Sequence, residues 1–115
     1  MTEYMSSLYE SVFIFRQDIT VSEVNKNIEQ LVQIINSGNG SVLKHEYWGL
    51  KSLAYPIKKN KKGHYVMLVI DSDNKILDEL QHRVRLSEDI IRDQVMKIES
   101  FDGKDSIMLS TKDKG

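Results

Sequence analysis

The chain has no cysteine and a single proline among its 115 residues. The first absence excludes disulfides and thiolate metal sites, so the fold does not depend on an oxidising compartment. Long hydrophobic runs are missing too. The longest nearly uncharged apolar stretch, Tyr65–Ile70, is far too short to cross a bilayer. The first residues carry Glu3 and no basic cluster, so no secretory signal is expected and the cytoplasm is the expected compartment. There is no G-x-S-x-G, no P-loop and no glycine-rich dinucleotide fingerprint. His45, His64 and His82 fall on different elements without metal-ligand spacing. Asp71 and Asp73 lack the third carboxylate of a calcium loop and fit a turn and helix cap better. No catalytic activity, metal, cofactor or small-molecule substrate is therefore expected.

The length argues for one domain, able to bury roughly two-thirds of its unfolded surface without a staple. Net charge is −1, which argues against simple capture of a polyanion. The distribution matters more, because a local basic patch binds phosphate even on a near-neutral molecule. Residues Lys51 to His64 (KSLAYPIKKNKKGH) hold five lysines and no acid.

Residues 1–7 are polar and read as a flexible N-terminus, residues 8–100 as the domain, and residues 101–115 as a loose tail. Tyr9 to Phe15 is aromatic and β-branched, the pattern of a strand. From Thr20 to Ser37, Val21, Val24, Ile28, Leu31 and Ile35 recur at helical spacing. Thr20 with Glu23 fits a capping box, and Gly38 is placed to end the helix in the left-handed conformation. Ser41 to Tyr55 reads as a long strand with a bulge at Gly49. Pro56 either ends it or places it at a sheet edge, since proline donates no ladder bond. Lys58 to Gly63 forms a turn, and His64 to Ile70 the returning strand. A second helix, from about Asp73 to Arg85, has Ile76, Leu77, Leu80 and Val84 on its apolar face. Ser87-Glu88-Asp89 breaks it, and Ile90 to Glu99 is a fourth strand. This βαββαβ order gives an α+β fold in which two right-handed crossovers place both helices on one face of a four-stranded antiparallel sheet, order 4-1-3-2.

A half-covered antiparallel sheet should alternate apolar and polar residues. The central strands do not. Tyr65, Met67 and Val69 oppose Val66, Leu68 and Ile70, and Tyr9, Phe13 and Phe15 oppose Val12 and Ile14. The face without helices is thus apolar in either register. A partner, self-association, or the C-terminal tail folding back can each cover such a face. Tyr9, Trp48, Tyr55, Tyr65 and Met67 are the candidate partner-binding residues.

Lys51, Lys58, Lys59, Lys61 and Lys62 can contact several phosphates at once and release condensed counterions. As mobile point charges they supply affinity and orientation more than sequence readout. A solvated tip that protects a sheet edge from aggregation is the bland alternative. His64 lies beside the lysines and is a candidate phosphate contact. Arg85 and Arg92 flank the turn before the fourth strand, where either suits a bidentate phosphate contact or a surface ion pair. Arg16 reads as an ion pair of the same kind. Trp48, Tyr47 and Tyr55 could stack on unpaired bases, but partner or core packing is the commoner use.

The segment Trp48-Gly49-Leu50-Lys51-Ser52-Leu53-Ala54-Tyr55-Pro56-Ile57 resembles the W-G-x-[RK]-x-L-A-Y-x-I motif of the family of the sixth protein of the bacterial small ribosomal subunit. Tyr9-Glu10, Gly63-His64-Tyr65 and Ile90-Ile91-Arg92 are similar and occur in the right order, so the resemblance covers about residues 8–99. It implies a ferredoxin-like fold, a structural place in the small subunit and binding to its ribosomal RNA. It also implies a heterodimer with the eighteenth small-subunit protein. The positions carried over are Lys51, Tyr55, the hairpin lysines and Arg92. Ser7 and Leu8 stand where many members carry an arginine. The alternative is a protein-interaction or ligand-binding regulatory module with no RNA role, which predicts a homo-oligomer through the sheet face.

Overall fold

The computed structural model describes residues 6–106. Its elements are β1 (Ser7–Arg16), α1 (Val21–Ser37), β2 (Ser41–Ile57), β3 (Asn60–Ser72), α2 (Asn74–Leu86) and β4 (Ile90–Ile98). The sheet runs β2-β3-β1-β4 with every neighbouring pair antiparallel, which is the expected 4-1-3-2 order read from the other edge.

Local chemistry sets the helix ends. Thr20 Oγ1 accepts from the Glu23 amide at 3.1 Å, while the Glu23 side chain accepts from the Thr20 amide at 3.4 Å, completing the capping box. Asp73 caps α2 by accepting from the Ile76 amide at 2.8 Å. The expected role of Gly38 is wrong. Its φ is −99°, and Asn39 instead takes the left-handed conformation at φ 70°. Gly38 is required for another reason: a Cβ there would fall 2.5 Å from Ile76 Cγ1, so its absence lets α2 pack against the end of α1. Val21 also departs from the expected stripe and is solvent-exposed.

The core lies between the helices and one sheet face. Phe13 and Phe15 of β1 and Val66, Leu68 and Ile70 of β3 pack against Val24, Ile28, Leu31 and Ile35 of α1 and Ile76, Leu80 and Val84 of α2. Tyr9 pairs with Ile70 and therefore shares the helix-covered face. There it is 6% exposed and its hydroxyl donates to Asn74 Oδ1 at 2.9 Å. That corrects its assignment as a partner-binding residue.

A polar cluster closes the end of the sheet where β1 meets α1 and β4. Arg16 Nε and Asn27 Nδ2 each donate to the Asp89 carboxylate at 2.9 Å, and Arg16 also pairs with Asp18. The Asn27 hydrogen bond, helped by Arg16, holds the Asp89 carboxyl below its ordinary value of 3.8. A depressed carboxylate stabilises the fold above its unfolded value, and that contribution disappears as pH falls through the lower folded value. Asp89→Asn should therefore lower the denaturant midpoint at about pH 7 and narrow the gap to wild type below about pH 3. A constant gap across that window would show that the carboxylate charge is not the stabilising feature.

Candidate nucleic-acid and partner interface

Beyond Gly63, where the pairing of β3 with β1 ends, β2 and β3 continue together as a short basic arm. Its tip is the two-residue turn Lys58-Lys59, with φ 46° and 68°. Paired left-handed residues match the twist of a hairpin, but glycine and asparagine are the usual occupants. The turn is thus shorter than expected, and β3 begins at Asn60. Just past this turn the β3 side of the arm is stitched to the β1–α1 loop. Asn60 Oδ1 accepts from the Gln17 amide at 2.9 Å, and Gln17 Oε1 accepts from the Lys62 amide at 3.1 Å. Lys58, Lys59, Lys61 and Lys62 are exposed and Lys51 is half-buried. Among the described residues none of the five is ion-paired.

The arm bends because its strands are unequal. Ser52 pairs with Lys62 and Ile57 with Asn60, so β2 advances five residues while β3 advances two. The three extra residues form a bulge within Leu53–Pro56. Pro56 fits there, on an edge strand where no ladder bond is lost. Through this bulge Tyr55 reaches Arg92 of β4, across the face away from the helices. Arg92 donates to the Tyr55 hydroxyl at 2.6 Å, and its guanidinium carbon lies 5.5 Å from the ring centroid. Arg92 pairs with Ile14 and Lys51 with Gly63, so both basic groups lie toward the open face at its arm end. A Cβ on Gly63 would fall 2.4 Å from Ile14 Cγ2, so glycine is needed where the arm crosses β1. The bulge expected at Gly49 is present: the register shifts between Tyr47 and Gly49, whose φ is 104°. Arg85 is exposed in the last turn of α2, on the helix layer.

His64 is not at the surface. It faces the helices, 5% exposed, within 2.8 Å of both the Tyr47 hydroxyl and the Ile19 carbonyl oxygen. The carbonyl can only accept, so Nε2 carries the proton and, in the neutral ring, Nδ1 accepts from Tyr47. His64 is a structural residue beside the basic arm, not a phosphate contact.

The open face is less bare than its sequence suggests. Trp48 and Tyr65 are half-buried there and Tyr55 is exposed, but Met67 is only 3% exposed. Its register partner Glu46 is equally buried, a residue given no role from sequence. Trp48 Nε1 donates to Glu46 Oε1 at 2.7 Å, and the Ser106 amide donates to Oε2 at 2.9 Å. The Ser106 hydroxyl also donates to Oε1, and Lys44 pairs with Asp105. Burial pushes the Glu46 carboxyl up, but these donors and the nearby Lys44 hold it below the ordinary carboxylate range. Residues 101–106 have no regular structure, yet they are tied to the sheet as far as Ser106; residues 107–115 and 1–5 lie outside the described residues. Met67 is thus covered in the free chain, which corrects its assignment as an open contact. Met96 of β4 remains exposed on this face.

Among the described residues no cluster of His, Asp and Glu could hold a metal ion, and no helix is long and apolar enough to cross a membrane. The family described as Ribosomal protein S6 matches residues 8–97. The chain belongs to the ribosomal protein S6 family. It is 44% identical over 106 residues to the small ribosomal subunit protein bS6 of Paramagnetospirillum magneticum, covering 92% of this chain and 74% of that one. The bS6 protein of Rickettsia prowazekii is also 44% identical, over 90% of this chain and 85% of its own. The crystal structure of the S6 protein of Thermotoga maritima superposes with a TM-score of 0.75 at 28% identity, covering 96% of both chains. As an S6 protein with this ferredoxin-like fold, the chain is a structural component of the small ribosomal subunit and not an enzyme. Its place is the ribosome, in the cytoplasm.

Proposed function

We propose that this S6 protein binds small-subunit ribosomal RNA through its basic arm and pairs with the eighteenth small-subunit protein across the open sheet face. The arrangement that carries the first half is the arm itself. Lys58 and Lys59 occupy a backbone conformation that disfavours lysine, and such strain is typical of positions kept for a task. Lys51, Lys61 and Lys62 continue the basic surface, and Tyr55 holds the Arg92 guanidinium at its base. Arg85 is a peripheral contact at most. The lysines supply non-specific phosphate affinity, and Arg92 supplies an oriented, bidentate donor set.

The second half rests on the apolar residues of the face without helices: Tyr55, Met96, and half-buried Trp48, Tyr65 and Val12. Sedimentation tests it. The chain alone should run as a monomer, and an equimolar mixture with the eighteenth small-subunit protein as a heterodimer. A homodimer through this face that persists in the mixture would instead favour a regulatory or interaction module without an RNA role.

A further inference from the structure

We propose that residues 101–106 form a strap that closes one corner of the open sheet face in the free protein, with Glu46 as its latch, and that partner docking must open it. The inference rests on the proposed use of that face. The strap's course follows from its ends. β4 stops at Ile98 on one edge of the sheet, while Ser106 is bonded to Glu46 of β2 on the other. The edge strands of a four-stranded sheet lie about 14 Å apart, a span that eight residues cover easily. Because Glu46 faces away from the helices, the segment crosses β1 and β3 on the open side.

The latch is unlike an ordinary surface contact. Glu46 is as buried as a core residue, and each of its oxygens is satisfied: Oε1 by Trp48 and the Ser106 hydroxyl, Oε2 by the Ser106 amide. Lys44 and Asp105 add an ion pair one row along. The register partners of Lys44 and Glu46 are Val69 and Met67, both buried although they lie on the face without helices. A carboxylate in this setting does not tolerate loss of its donors. A partner spreading over the whole face must therefore displace Ser106 and bring its own donor or cation to Glu46. Opening the strap reduces apparent affinity by the fraction of time the face is free, so a strap closed about nine-tenths of the time weakens docking about tenfold.

The chain has one tryptophan, Trp48, and it shares Glu46 Oε1 with the strap. Fluorescence therefore reads the latch without any partner. Asp105→Ala combined with Ser106→Ala alters two residues outside the core. It should raise the accessibility of Trp48 to acrylamide and strengthen binding of the eighteenth small-subunit protein about tenfold. Glu46→Gln, which places an amide group against the Ser106 donors, should act in the same direction. Unchanged quenching in both variants overturns the strap. Increased quenching with equal or weaker partner binding overturns the competition. If the wild-type chain does not bind the eighteenth protein at all, that assignment fails, and the quenching data still judge the strap.

Discussion

Replacing Lys58, Lys59, Lys61 and Lys62 together with alanine is expected to weaken binding to small-subunit ribosomal RNA roughly hundredfold at moderate salt. The four side chains are exposed and lack ion pairs among the described residues, so their removal leaves few contacts to repair. Alanine at Lys58 and Lys59 meets the same left-handed backbone that lysine already tolerates, so the turn survives. Each lost phosphate contact also removes one released counterion. The slope of log affinity against log salt should therefore fall in magnitude by about 3. Filter binding across a salt series measures both quantities. A loss of affinity with an unchanged slope would mean that the arm acts through shape, not charge. No loss at low salt would remove the arm from the interface altogether.

His64→Ala should have the opposite profile. The substitution removes the buried hydrogen bonds that His64 makes to the Tyr47 hydroxyl and the Ile19 carbonyl and opens a cavity beside the β1–α1 loop. The combined cost is about 3 kcal/mol, and for a domain of this size it lowers Tm by about 15 °C. Below that transition the folded variant should bind RNA as the wild type does. Calorimetry with a binding titration separates the outcomes. A stable variant that has lost RNA affinity would return His64 to the contact surface.

Why His64 misleads in the sequence is instructive. Lys62 and His64 point to the same side of β3, two residues or about 6.6 Å apart. At His64 that side is covered by the β1–α1 loop, whose Ile19 carbonyl the ring meets, while at Lys62 the side chain is exposed even though its amide still bonds Gln17 of the same loop. Only the reach of that cover decides where the core stops, and strand periodicity carries no such information. Tyr9 misleads differently. Alternation sorts β1 into two faces but does not say which one receives the helices, and both faces of this strand are apolar. The elements themselves were legible, because Val24, Ile28, Leu31 and Ile35 keep strict helical spacing and Thr20 and Glu23 mark the start. The strand order followed from the crossover rules. The bulge within Leu53–Pro56 was hidden. Its three surplus residues exist only relative to the shorter β3, so the motif pointed to a family while concealing how Tyr55 reaches Arg92. Glu46 was invisible for a similar reason: its partner Ser106 is sixty residues away, in a segment without periodicity.

The absence of cysteine makes a direct test of the central claim simple, since any introduced thiol is unique. A hydroxyl-radical probe tethered through Lys59→Cys at the arm tip is compared with one tethered through Glu29→Cys, exposed on α1. Both are bound to small-subunit ribosomal RNA with the eighteenth protein present. The arm-tip probe should cut the RNA strongly at a confined site, and the α1 probe should cut weakly. Strong cleavage from α1 with none from the arm would place the RNA on the helix layer and contradict the account.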